Sequence, residues 1–165
     1  NNMASVVLVK RPGKLPVYHG VDEIQGGADT PELVNVLRRR YPSSPIIIYP
    51  DASGASTSSK GASVSDISIL KNAKLSVRAK KANPRTKDRI LSVNTAFSKG
   101  RLFINEDKCP TVAAHLEQQV YSLVGEPDKT MGYDHLNDAL GYFCVFELPV
   151  NRPKIVTGSL ASIYG

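Results

Sequence analysis

The stretch SPIIIYPDASG, residues 44–54, decides the fold. Ile46 to Tyr49 form a short continuous apolar run with no polar alternation, which predicts a strand covered on both faces. Pro50 ends the run, and a lone carboxylate, Asp51, stands where the strand gives out. In open sheets with crossover connections, ligands bind at the carboxyl ends of strands. Asp51 is therefore a candidate site residue, although an Asx turn after Tyr49 and Pro50 would use the same residue.

Upstream, MASVVLVK (3–10) is rich in β-branched residues, RPGK turns the chain, and LPVYHGVDEIQ (15–25) returns as a second strand. This predicts a hairpin. Thr30 and Pro31 then open a helix in cap-then-proline order, with Leu33, Val34 and Leu37 as its buried stripe, and PSSP ends it. Downstream of Asp51 lies the small-residue loop ASGASTSSKGAS. Further elements are expected in SVSDISILKNA (helix), LSVRAK (strand), PRTKDRILSVNTAFS (helix), RLFIN (strand), CPTVAAHLEQQVYS (helix) and DHLNDALGYFCVFEL (helix). The alternation predicts an α/β fold with a central mixed sheet and helices on both faces. Residues 1–150 read as one domain and 151–165 as an irregular tail, with no internal repeat.

A chain of 165 residues buries roughly 70% of its unfolded surface around one core. No apolar run approaches the roughly 20 residues that span a bilayer, so no membrane association is expected. The chain opens NNMASVVLV without a charged-then-apolar leader and reads as a fragment. Cys109 and Cys144 lie far apart with no CxxC or Cys/His cluster, so buried thiols in a reducing compartment are expected, not a disulfide or zinc site. The net charge of +6 favours a polyanionic partner. Arg38, Arg39 and Arg40 suit the dipole at a helix C-terminus, whereas Arg78, Lys80, Lys81, Arg85, Lys87 and Arg89 crowd into one segment and are expected to contact phosphates.

The second acidic element is GYDHLNDALGY. Asp134 and Asp138, four residues apart, share a helix face, and the apolar residues around them predict a buried helix. Two like charges on one face are tolerated beside a cation or at a helix N-terminus. Asp134 reads equally as a cap with Tyr133 before it or as a metal ligand. Asp138, a turn further in, is harder to assign to capping.

Together, YPDASG, RAKKANPRTKDRI, LEQQVYS and GYDHLNDALGYF resemble the C-terminal nuclease domain of the large terminase subunit of tailed, headful-packaging bacteriophages. The resemblance spans about residues 3–150, with separated motifs in the family's order. It implies a ribonuclease H-like fold and three acidic positions: one on the first strand, one at the end of the central strand and one on a late helix. Asp51 matches the second. Asp134 is the first choice for the third, with Asp138 beside it as ligand or partner. Residues 1–10 contain no Asp or Glu, so the chain is expected to begin just after the first acidic position. Asp22 and Glu23 are poor substitutes, because neighbours on a strand point to opposite faces.

The resemblance also implies a metal-dependent endonuclease that cuts concatemeric double-stranded DNA with little sequence specificity. Two Mg²⁺ or Mn²⁺ ions, roughly 3.5 to 4 Å apart in such sites, would be held by carboxylates, the hard oxygen donors these ions prefer. The expected partners are duplex DNA, the terminase small subunit and the portal protein, in the host cytoplasm. The nucleotide loop GxxxxGK[ST] does not occur, so no motor activity is expected of this chain. His135 points about 100° away from Asp134 on a helix and is read as a surface or packed residue, while His19 and His115 carry no site spacing. Glu117, Gln118 and Gln119 are read as packing or polar lining. Two alternatives stand beside the nuclease: a resolvase- or transposase-type enzyme of the same superfamily, and a DNA-binding or docking module without catalysis.

Overall fold

A computed structural model describes residues 3–27, 29–52, 65–122 and 126–150. The expected hairpin is formed by β1 (Met3–Arg11) and β2 (Val17–Gly27), antiparallel, with a register shift between Val7 and Leu8 where Val21 bulges. Helix α1 (Thr30–Arg40) follows. Its cap is Asp29, one residue earlier than the sequence suggests: the carboxylate accepts from the Glu32 N–H at 2.9 Å, and Thr30 and Pro31 fall inside the first turn. The last turn holds Arg38, Arg39 and Arg40 as expected; Arg38 donates to the Ala73 carbonyl and Arg40 pairs with Asp22 at 2.8 Å.

The run 46–49 is strand only over β3 (Ile47–Ile48). Helix α2 (Asp66–Asn72) leads to β4 (Ser76–Val77), parallel to β3 and shorter than LSVRAK implied. Next come α3 (Thr86–Ser98), β5 (Leu102–Ile104), α4 (Pro110–Gln118) and α5 (Asp134–Glu147). Helix α4 stops at Gln118, because the Gln119 side chain donates to the carbonyls of Val120 and Asp128 and turns the chain out of the helix.

Two hydrogen-bonded ladders result, one in the order β1-β2-β5 and one pairing β3 with β4. β2 and β5 are parallel, so the larger ladder is mixed. Helices cover both faces. On one, Ala4, Val6, Leu8, Tyr18, Tyr49 and Leu102 pack with Val93, Leu136, Leu140 and Phe143 of α3 and α5. On the other, Met3, Val7, Ile24 and Ile48 pack with Leu33 and Leu37 of α1. The β3 segment thus contributes Tyr49 to one layer and Ile48 to the other, as a strand buried on both faces must, although Ile47 stays partly exposed.

The larger core depends on full burial. Leu136 and Leu140 of α5, Val112, Cys109 and Cys144 are almost completely enclosed, and truncating such a leucine to alanine costs about 2–5 kcal/mol. Both thiols are free and buried, and burial pushes Cys109 up to about 11 and Cys144 up to about 12. Among the described residues, no helix is long and apolar enough to cross a membrane. The tail 151–165 and most of the small-residue loop lie outside the described residues.

Candidate functional site

The end of β3 brings Tyr49 over α5, where it packs edge-on against Phe143 with ring centroids 5.2 Å apart. Pro50 then breaks the strand, and Asp51 emerges beside α5 and the segment before α3. One Asp51 oxygen accepts from Asn83 Nδ2 at 2.8 Å and the other from the Tyr142 hydroxyl at 3.4 Å. Asn83 Oδ1 in turn accepts from the Ala52 N–H at 2.7 Å, so one amide side chain fixes both the carboxylate and the backbone behind it. Asp51 is therefore held in part from outside its own turn, by Asn83 and Tyr142.

Asp138 and Tyr142 are four residues apart on α5 and share a face. Arg89 of α3 lies across that face. It pairs with Asp138 at 2.8 Å, donates to the Pro84 carbonyl at 2.8 Å, and places its guanidinium 4.8 Å from the centre of the Tyr142 ring. Gly141 makes this crossing possible: a Cβ there would fall 2.8 Å from Arg89 Cβ. Burial raises the Tyr142 hydroxyl to about 12; Arg89 opposes the shift, and the charges of Asp51 and Asp138 add to it. Both carboxylates thus lie within electrostatic reach of the same hydroxyl.

Asp134, expected as the leading helix carboxylate, is buried at the start of α5, with Lys129 at 3.7 Å. It is not the cap, which is Tyr133. Eight residues, or about 12 Å of helix rise, separate it from Tyr142, against four residues, or about 6 Å, for Asp138. Arg89, expected among the phosphate contacts, requires a correction. Only 7% of it is exposed, because it sits on the inward stripe of α3 with Val93 and Ala96. Arg78, Lys80, Lys81, Arg85 and Lys87 are exposed. Arg85 pairs with Asp88 at 3.0 Å, and Lys80 lies 4.7 Å over the Phe146 ring.

Asp22 and Glu23 do face opposite sides. Asp22 is held by Arg40 and by the Tyr41 hydroxyl at 2.7 Å, and Glu23 accepts from the N–H groups of Thr111 and Val112, neutralising the start of α4. Both are occupied by structural partners. His135 is exposed, His115 packs on Tyr133 and His19 stacks on Phe103. Sequence reasoning missed Asn83 and Tyr142. The four-residue spacing of Tyr142 from Asp138 could have found the tyrosine; nothing local marks Asn83 beyond its place before Pro84.

The donor set suits a hard divalent ion. Mg²⁺ usually binds through one or two protein carboxylates, with water and phosphate completing its shell, and Asp51 and Asp138 are carboxylates of the kind such a shell uses. Among the described residues, no three of His, Cys, Asp and Glu converge closely enough to hold a metal by themselves.

A layered α/β domain with helices on both faces and an acidic residue just past the end of an inner, two-sided strand fits a ribonuclease H-like architecture. The family described as "Terminase RNaseH-like domain" matches residues 4–146, and the chain belongs to it. Among solved structures, the chain is similar to the large terminase of a thermophilic bacteriophage, with a TM-score of 0.64 at 20% identity. That match covers 87% of this chain and 36% of the other, so this chain spans about a third of that terminase. A search of curated proteins finds no match.

Proposed function

We propose that this terminase RNaseH-like domain is a metal-dependent endonuclease that cuts concatemeric double-stranded viral DNA, with little sequence specificity, during headful packaging. The observation that carries the reading is the chain of contacts from Asp51, at the end of β3, to the Tyr142 hydroxyl, and from the Tyr142 ring through Arg89 to Asp138 of α5. These carboxylates would hold Mg²⁺ or Mn²⁺, with Asp134 as a more distant candidate ligand and two ions as the working complement. Bound there, such ions lower the pKa of a water and offset charge on the phosphate oxygens.

The chain's own residues do the rest. Asn83 and Tyr142 fix the two oxygens of Asp51, which limits the rotamers it samples before substrate arrives. Exposed Arg78, Lys80, Lys81, Arg85 and Lys87 attract the phosphate backbone and supply affinity without base readout. The same reading makes the terminase small subunit and the portal protein partners, in a packaging complex in the host cytoplasm.

The test is cleavage of linear and supercoiled plasmid in Mg²⁺, Mn²⁺ and EDTA, with Asp51→Asn and Asp138→Asn alongside. Cutting that needs metal and both carboxylates is expected. Branched substrates strongly preferred over linear duplex would instead favour a resolvase-type enzyme. Duplex binding with no metal-dependent cutting by the folded protein would reduce the chain to a binding module.

A further inference from the structure

Arg89 joins two features that a site for divalent cations would be expected to keep apart: a permanent buried positive charge and one of the site's own carboxylates. Resting on the metal-dependent reading above, we propose that Arg89 is a positioning residue that competes with the divalent ion for Asp138 and keeps the resting metal affinity low. Four observations carry it. The guanidinium lies 2.8 Å from Asp138 Oδ1 and cannot lose its proton, so the carboxylate is already neutralised. Its seat is built, with the Pro84 carbonyl on one nitrogen, the Tyr142 ring beneath it and a glycine at 141 to let its stem pass. Its Nε is buried without an acceptor among the described residues, so the guanidinium is not fully satisfied where it sits. Finally, the Tyr142 ring under Arg89 carries the hydroxyl that reaches Asp51, which ties the cation to both acids at once.

The electrostatic consequence is direct. Asp51 and Asp138 together carry two negative charges, and Arg89 cancels one in a partly buried setting where screening by water and salt is weak. A divalent ion that reaches Asp138 must either displace the guanidinium or share the carboxylate with it. The opposite role is that of an outer partner that orients a ligand and strengthens metal binding, as such groups do in many metal sites. The two roles predict opposite signs when Arg89 is removed.

The experiment is Mn²⁺ titration of the chain, read from the electron paramagnetic resonance signal of free Mn²⁺, with folding checked by circular dichroism. Competition predicts that Arg89→Met binds Mn²⁺ at least about tenfold more tightly than wild type, and that the gain disappears in the Asp138→Asn background. Unchanged or weaker binding by folded Arg89→Met, with wild-type binding lost in Asp51→Asn, overturns this inference and leaves the metal reading standing. Mn²⁺ bound by none of the proteins overturns both. Should Arg89→Met fail to fold, the single carboxylate variants decide: competition requires Asp51→Asn to weaken binding more than Asp138→Asn does, and equal losses overturn it.

Discussion

Helix α5 carries two acidic centres built from the same residue types, and they are finished differently. Asp138 and Glu147 are nine residues apart, which puts them on opposite faces of the helix. Glu147 accepts from the Tyr18 hydroxyl at 3.0 Å and the Tyr49 hydroxyl at 2.6 Å, and Arg78 closes the cluster. Burial alone would raise its pKa, but those hydrogen bonds and the Arg78 charge outweigh it and hold Glu147 below the ordinary glutamate value. On the other face, one tyrosine hydroxyl lies in the field of two carboxylates, an arginine spans the gap, and one guanidinium nitrogen has no acceptor among the described residues. A centre whose partners match its lone pairs ties β2, β3 and β4 to α5. A centre whose cation is short of an acceptor loses less when a partner is exchanged.

The strongest break of this contrast is functional. Asp51→Asn is expected to lower metal-dependent plasmid cutting at least about a hundredfold, while Glu147→Gln leaves cutting readily measurable in the same assay. Equal losses would mean that Glu147 belongs to the reacting site and that the two faces are not separate.

Stability should show the reverse order. Glu147→Ala removes the acceptor of two tyrosines and an arginine and is expected to cost about 2–3 kcal/mol, read as a lower urea midpoint at unchanged slope. Asp51→Asn keeps an acceptor oxygen and should stay within about 0.5 kcal/mol. Gly141→Ala is expected to cost about 1–3 kcal/mol, because the added Cβ meets the root of Arg89, which has no freedom to swing away. A neutral Gly141→Ala would show that Arg89 is not held across α5.

These partners explain why part of the site was legible in the sequence and part was not. Asp51 could be found because a strand of Ile residues ends in a proline, a purely local signal. The hairpin and α1 were equally local, in β-branched runs and the buried spacing of Leu33, Val34 and Leu37. The short β4 and the early end of α4 depend on hydrogen bonds from elsewhere, such as those of Gln119. Arg89 was readable in principle: it stands four and seven residues before Val93 and Ala96, on the stripe that α3 buries. Its membership in a run of cations concealed that phase, since charge composition has no direction and helical periodicity does. The choice between Asp134 and Asp138 is tertiary, since it turns on which α5 side chains face Asp51, and no local pattern encodes that.

Acid titration distinguishes the centres more gently. A glutamate held below its unfolded value, about 4.3, contributes stability that is complete at neutral pH and lost as pH falls through its folded pKa. Urea midpoints measured from pH 7 to 3 should therefore fall less steeply in Glu147→Gln than in wild type. At the alkaline limit the sign reverses. Tyr18, raised to about 12 by burial and by Glu147, keeps its contribution up to about pH 10 and loses it between there and 12. A Glu147→Gln curve parallel to wild type on the acid side would remove the case for a satisfied carboxylate.

The smallest expected effect concerns Arg78, which belongs to both descriptions. It is half exposed and belongs to the run of cations proposed to meet phosphates, yet it is anchored to Glu147. A cation that touches phosphate contributes about 0.9 to the slope of log affinity against log salt. If anchoring presents Arg78 to DNA, Arg78→Gln and Lys81→Gln should each flatten that slope by about 0.9 in duplex-binding titrations. If anchoring withdraws it, only Lys81→Gln will do so, and Arg78 is then the structural counter-ion of Glu147, as Arg89 is the internal cation beside Asp138. Because Glu147→Gln frees Arg78 without removing its charge, the slope in that variant separates the two cases again: it stays at the wild-type value if Arg78 already contacts DNA and steepens if the salt bridge had held it back.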